Sequence, residues 1–217
     1  MSVRVLLVDD HKMMRDGLRA LLGSASDIVV VGEACDGRSA LDLVRSLAPD
    51  VVVMDVGMPE LNGVEATLRI RTEFERVRVV ALSTYTDKRY VHNMLDAGAS
   101  GYVVKIAAHD ELLRAVRAAS QGRTYLSPVI AGIVVERSAQ PHPSAEASAY
   151  STLGAREREV LQLVAEGKTS AETAMQMHIS IKTVETHRRN IVQKLGLHGT
   201  AELTKYAIRE GLTSLDG

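Results

Sequence analysis

A chain of 217 residues with 46% hydrophobic and 24% charged residues has room for one large domain or two small ones, and its composition excludes a disordered protein. The single cysteine, Cys35, excludes an intramolecular disulfide, and no apolar run approaches the ~18 residues of a membrane span. A formal net charge of −1 excludes nucleic-acid binding by a uniformly basic surface, so any such binding must come from a local patch.

Met1-Ser2 leads straight into a strand pattern with no signal-peptide signature, so a cytoplasmic protein is expected. Val3–Val8 is the first predicted strand. From Met13 to Leu22, Met14, Leu18, Leu21 and Leu22 recur at helical spacing, with Gly23-Ser24 as the stop. Ile28–Val31 is predicted as strand and Arg38–Leu47 as helix, with Ala40, Leu41, Val44 and Leu47 on one face. Val51–Met54, bounded by Pro49 and Pro59, is short and continuously apolar, as in a strand buried on both faces of a parallel sheet. A helix over about Gly63–Glu75, a strand over Val77–Leu82, a helix over Lys88–Asp96, a strand over Gly101–Val104 and a helix over Glu111–Ser120 follow. Five β-α units in about 120 residues predict an α/β fold, a doubly wound five-stranded parallel sheet of order 2-1-3-4-5 with right-handed crossovers.

The residues at the strand ends carry the chemistry. The first strand ends on Asp9-Asp10, the third on Asp55, the fourth on Ser83 and the fifth on Lys105. In an open sheet of that order, strands 1 and 3 flank the switch point, so these groups converge on one crevice. Three carboxylates there repel one another unless a hard cation such as Mg²⁺ shares them. Such a cation leaves positions for phosphoryl oxygens, to which Lys105 offers a point charge and Ser83 a hydroxyl.

Asp9-Asp10, the Asp55-x-x-Met58-Pro59 turn, Ser83 and Gly101-Tyr102-Val103-Val104-Lys105 together resemble the receiver domain of two-component response regulators, over residues 1–124. The resemblance implies that Asp55 accepts a phosphoryl group from a sensor histidine kinase. It implies that Asp10, Asp55 and the Gly57 carbonyl ligate Mg²⁺, with Asp9 acting through water, and that Ser83 and Tyr102 form a switch pair beside Lys105. Ile106 stands where the wider superfamily has proline, which leaves the peptide geometry after Lys105 open. A phosphohydrolase would use the same acidic pocket, but the sequence supplies neither a substrate cap nor a second acid/base, so no enzyme is expected. A stand-alone interaction protein would not need Asp10, Asp55 and Lys105 together.

Residues 125–150 read as a linker. Ser138–Ala149 is rich in Pro, Ser and Ala and forms no core of its own, and about Pro128–Val135 a short helix extends the receiver. Residues 151–217, with 9 basic and 8 acidic side chains, read as a small all-α domain of four helices. Arg156–Ala165 is the first, closed by Gly167; Ser170 opens the second, Ala171–Met177; Ser180 caps the third, Ile181–Leu195; Thr200 opens the fourth, Ala201–Arg209. A short helix, a tight turn at His178-Ile179-Ser180 and a longer basic helix make a helix-turn-helix. On that third helix Ile181, Val184, Ile191, Val192 and Leu195 are expected to face the core, and Ile181–Gly196 carries four basic side chains against one acidic.

Leu153-x-x-Arg156-Glu157-x-Glu159-Val160-Leu161, Ile179-Ser180-x-Lys182-Thr183-Val184-x-x-His187 and Lys194-Leu195-Gly196 resemble the LuxR-type helix-turn-helix of the NarL/FixJ response regulators. The resemblance implies a phosphorylation-dependent transcriptional regulator that binds double-stranded promoter DNA, at two half-sites, as a homodimer formed on activation. It places Lys182 and Thr183 on phosphates, Glu185, Thr186 and Arg189 at base edges with His187 among the DNA-binding residues, and dimerisation on the last helix. Gly154 stands where the family has a Thr cap, and Thr173 where it has Ile, so the Thr173 hydroxyl is expected to seek a backbone carbonyl.

Overall fold

The computed structural model describes residues 2–84, 86–139, 152–197 and 199–213, the side chains of 110 and 137–139 excepted. The chain divides into an N-terminal and a C-terminal unit. The first is a six-stranded sheet in the order β2-β1-β3-β4-β5-β6, every ladder parallel. Its strands are β1 (Val3–Val8), β2 (Ile28–Ala34), β3 (Val51–Asp55), β4 (Arg78–Ser83), β5 (Gly101–Val104) and β6 (Tyr125–Leu126). The helices between them are α1 (Lys12–Gly23), α2 (Gly37–Leu47), α3 (Gly63–Glu73), α4 (Lys88–Asp96) and α5 (Ala108–Ser120).

β-branched runs flanked by helices on both faces explain the burial. Every residue of β3 is buried, and Val5, Leu7, Val51, Val53, Val80, Leu82 and Val103 pack against Leu18, Leu22, Leu112 and Val116 of α1 and α5. Short polar caps start the helices: Asp36 accepts from the Arg38 and Ser39 amides, Asn62 from Glu65, and Asp87 from Arg89. β2 extends three residues beyond the predicted Val31, because Gly32, Glu33 and Ala34 pair with Leu6, Leu7 and Val8 past a bulge at Val31.

The expected five strands become six. Tyr125 and Leu126 pair with Gly101 and Tyr102 at the open edge of β5, in the segment read from the sequence as linker. A strand of two residues has no periodicity to detect; the free edge of β5 makes it. Helix α6 (Pro128–Ala139) follows and runs past the predicted Val135. Of the predicted tether Ser138–Ala149, the first two residues end α6, and the remainder lies outside the described residues.

Ser127 joins these pieces. Its amide donates to the Tyr102 carbonyl at 2.9 Å, its hydroxyl donates to Glu111 and accepts from the Val104 amide at 3.2 Å, and its carbonyl receives the Ile130 and Ala131 amides. Ile130 of α6 is fully buried, and Lys88 of α4 pairs with Glu136 of the same helix at 2.6 Å. Ser127→Ala removes a hydroxyl that satisfies a carboxylate and an amide at a site 2% exposed. The variant is expected to lose about 1–3 kcal/mol of stability, read as a lower urea midpoint at constant m. An unchanged midpoint would show that these groups find other partners.

The second unit contains α7 (Ala155–Ala165), α8 (Ser170–Met177), α9 (Ile181–Leu195) and α10 (Thr200–Arg209). Val160, Leu161, Leu163 and Val164 of α7 pack with Met177, Val184, Ile191, Leu203 and Tyr206. α8 ends on His178 at φ 53°, and α9 ends on Gly196 at φ 65°, where a left-handed residue closes the helix. Several expectations change here. Ile181 is 53% exposed, because the first turn of α9 projects beyond the core that Val184 and Ile191 fill. Thr169, not Ser170, caps α8: it accepts from the Glu172 amide while the Glu172 carboxylate takes the Thr169 amide at 2.8 Å. The fully buried Thr173 hydroxyl has no hydrogen-bond partner among the described residues; the Thr169 carbonyl one turn back already receives the Thr173 amide. At α7, Gly154 supplies no cap, but the Glu157 carboxylate accepts the Gly154 amide at 2.8 Å. Among the described residues, no helix is long and apolar enough to cross a membrane.

Candidate functional site

The parallel sheet brings four strand ends together. Lys105, directly after β5, places its Nζ 2.7 Å from Asp9 Oδ2 and 2.7 Å from Asp55 Oδ2, at the ends of β1 and β3. Asp9 and Asp55 are buried, and Asp10 stands beside them half-buried. Ligand atoms of Asp9, Asp10, His11 and Asp55 all lie within 4.8 Å of one another. His11 escaped the sequence reading although it adjoins Asp9-Asp10; its amide donates to Asp9 Oδ1 at 2.9 Å, and its Nδ1 lies 2.8 Å from Asp10 Oδ1.

Three carboxylates face one ammonium, and the imbalance appears in the proton affinity of Asp55. Burial pushes the Asp55 carboxyl up to about 6; the charges of Asp9 and Asp10 push the same way, and Lys105 opposes them. For Lys105 burial favours the neutral amine, but the carboxylates of Asp55 and Asp9 outweigh it and raise its pKa.

Next to this group, Ser83 and Tyr102 are both fully buried, and the Tyr102 hydroxyl is hydrogen-bonded to Ser83. Burial raises the Tyr102 phenol above its ordinary range. The backbone after Lys105 turns through a 3₁₀ segment, Lys105–Ala107, with trans peptides. Gly57 lies exposed in the turn leaving β3, while the next residue, Met58, is buried. Gly63 then brings the start of α3 against β3: its amide donates to the Val56 carbonyl at 3.0 Å, and a Cβ there would stand 1.9 Å from the Asp55 carbonyl oxygen.

In the second unit, α9 presents Lys182, Thr183, Glu185, Thr186 and Arg189 to solvent. His187 is half-buried, with an Nδ1 that meets no partner among the described residues. Thr183 shares a hydroxyl contact of 2.8 Å with the cap Ser180, and Thr186 donates to the Lys182 carbonyl at 2.9 Å. Lys194 is engaged elsewhere: its Nζ lies 2.7 Å from Glu157. Burial would raise the Glu157 carboxyl, but the Lys194 ammonium and the Gly154 amide bring it below its usual value. The positive charge left on α9 is therefore that of Lys182, Arg188 and Arg189.

Residues 5–117 match the response regulator receiver domain family, and residues 151–207 match the bacterial regulatory proteins of the luxR family. The transcriptional regulatory protein LiaR of Bacillus subtilis is 40% identical over 212 residues, which cover 98% of this chain and 100% of LiaR. The crystal structure of the response regulator ChrA, from a heme-sensing two-component system, is 34% identical with a TM-score of 0.54, over 97% of this chain and 98% of ChrA. RcsB from Salmonella enterica serovar Typhimurium, solved bound to the promoter rprA with the phosphomimetic BeF3-, is 25% identical with a TM-score of 0.59, over 94% of this chain and 98% of that one. With both families matched in this order and LiaR aligned over 98% of the chain, the chain belongs to the response regulators that join a receiver domain to a luxR-family regulatory domain.

Proposed function

We propose that Asp55 is the phosphoacceptor of a transcriptional regulator and that α9 is its DNA-reading helix. The observation that carries the first half is the Lys105 ammonium held 2.7 Å from both Asp9 and Asp55 at the carboxyl edge of the sheet. An Asp55 carboxylate oxygen forms a bond to phosphorus as the phosphorus–nitrogen bond of a kinase phosphohistidine breaks, and the electron pair returns to the imidazole. Lys105 then turns from the carboxylate to the phosphoryl oxygens. Ser83, now bonded to Tyr102, offers its hydroxyl to one of those oxygens, so Tyr102 must find a new arrangement.

The donor set suits Mg²⁺: three carboxylates, all hard oxygen ligands, balanced by one ammonium. Asp10 and Asp55 would hold the ion with the Gly57 carbonyl, and Asp9 would act through water. When bound, the ion neutralises charge on the transferring phosphoryl group.

Binding of promoter DNA as a homodimer on two half-sites, in the cytoplasm, follows from the family and from the exposed basic residues of α9. In this reading Lys182 and Thr183 contact phosphates, Glu185, Thr186 and Arg189 reach base edges, and His187 supports them from the same helix. Selection of sites from genomic DNA by the chain treated with acetyl phosphate and Mg²⁺, against untreated chain, tests it. Treatment is expected to raise affinity for the selected site; equal affinities would reject phosphorylation control. On that site Arg189→Ala should cost about 1–3 kcal/mol and little on random DNA. Lys182→Ala should weaken both and shallow the salt dependence by roughly one counterion. Equal losses on both DNAs for Arg189→Ala would make that residue another backbone contact.

A further inference from the structure

Glu185 is the one acidic side chain on a helix whose other charges are basic, and it is not left to move freely. Ser170, the first residue of α8, donates its hydroxyl to Glu185 Oε1, and Arg188 Nη1 reaches the same hydroxyl at 3.5 Å. Ser170 can do this because Thr169 and Glu172 already cap α8 between them, which leaves the Ser170 hydroxyl spare. A hydroxyl has a single proton to give, and here it goes to the carboxylate, while the guanidinium takes a lone pair. The pair links the two helices of the helix-turn-helix through an exposed residue of α9.

We propose that Ser170 is a positioning residue for sequence recognition: it pins Glu185 so that its carboxylate accepts a hydrogen bond from the exocyclic amine of cytosine in each half-site. This rests on the reading of α9 as the major-groove helix. An ionised carboxylate only accepts hydrogen bonds, and next to DNA phosphates it is repelled unless it meets a donor. In the major groove the donors are the amines of cytosine and adenine, whereas guanine and thymine present acceptors at the corresponding edge. Adenine sets its N7 acceptor beside its amine, so a second carboxylate oxygen is repelled there; cytosine carries a C–H at the corresponding place on its own ring. Arg189, four residues on and on the same helix face, suits the paired acceptors of guanine. A pinned carboxylate also cannot swing away from a wrong base, so a mismatch keeps its full cost.

The test titrates the full-length chain, treated with acetyl phosphate and Mg²⁺, on the duplex it selects from a randomised pool. Each base is then placed in turn at every position of the half-site. The unaltered chain should prefer cytosine at one position by about tenfold or more over guanine and thymine. Glu185→Gln should move the preference at that position to adenine, whose N6 and N7 match an amide. Ser170→Ala should keep cytosine first but shrink its margin at least threefold, with affinity for random DNA and thermal midpoint unchanged, and Ser170→Thr should restore the margin. The proposal is overturned if Ser170→Ala keeps the full margin, or if it loses affinity equally on all DNA together with a lower thermal midpoint. A selected site whose base preferences ignore Glu185→Gln overturns this inference while leaving α9 as the reading helix. A pool that yields no preferred sequence overturns both.

Discussion

Asp55→Asn is expected to take up no phosphoryl group from acetyl phosphate and Mg²⁺, while Lys105→Ala takes it up slowly and no longer converts it into DNA binding. The two losses differ because the two residues act at different moments. Asn keeps the shape of Asp55 but has no anionic oxygen to attack phosphorus, so label on the intact protein should fall to background. Lys105 is not the acceptor. It bridges Asp9 and Asp55, and in the proposed switch it reads the added charge, so its removal is expected to leave the attacking carboxylate in place and to remove the group that reports the change. Intact-protein mass spectrometry for the label and a DNA titration for the response separate them. Undiminished label on Asp55→Asn would place the acceptor elsewhere, and full DNA response in labelled Lys105→Ala would remove Lys105 from the switch.

Gly63→Ala is expected to cost about 3 kcal/mol or more, at the upper end of what overpacking does. The added Cβ would lie 1.9 Å from the Asp55 carbonyl oxygen, 2.9 Å from its carbon and 3.0 Å from the Val56 Cα. All three are backbone atoms, so no side chain can rotate out of the way. Either α3 withdraws and loses the Gly63 amide bond to Val56, or the end of β3 moves and carries Asp55 with it. The urea midpoint should drop, and the fraction still folded should label poorly. A variant with the midpoint and labelling of the unaltered chain would mean that α3 approaches β3 less closely than described.

Much of this protein is determined by local sequence. Continuous apolar runs of four residues, Val5–Val8, Val51–Met54 and Val79–Leu82, are the mark of strands buried between two helical layers, so β1, β3 and β4 and their parallel order followed from pattern alone. Given that order, Asp9, Asp10, Asp55, Ser83 and Lys105 had to meet, because the carboxyl ends of parallel strands lie on one edge. Ser180 before Ile181 and Gly196 after Leu195 likewise mark the ends of α9, since caps act within a turn.

What tertiary structure alone decided are contacts between residues distant in the chain. β6 exists because β5 would otherwise present an open edge, which two residues cannot signal by themselves. Lys194 belongs to Glu157 and not to the exposed charge of α9, a pairing across 37 positions that helix periodicity does not encode. Gly63 had no turn to explain it; its reason is the Asp55 carbonyl packed against it. Thr169 and Ser170 are neighbours of similar chemistry, and a capping box was legible in Thr169-x-x-Glu172. That the spare hydroxyl of Ser170 then reaches Glu185 depends on how α8 packs on α9, because a side-chain hydrogen bond across helices is set by their spacing and not by either sequence alone.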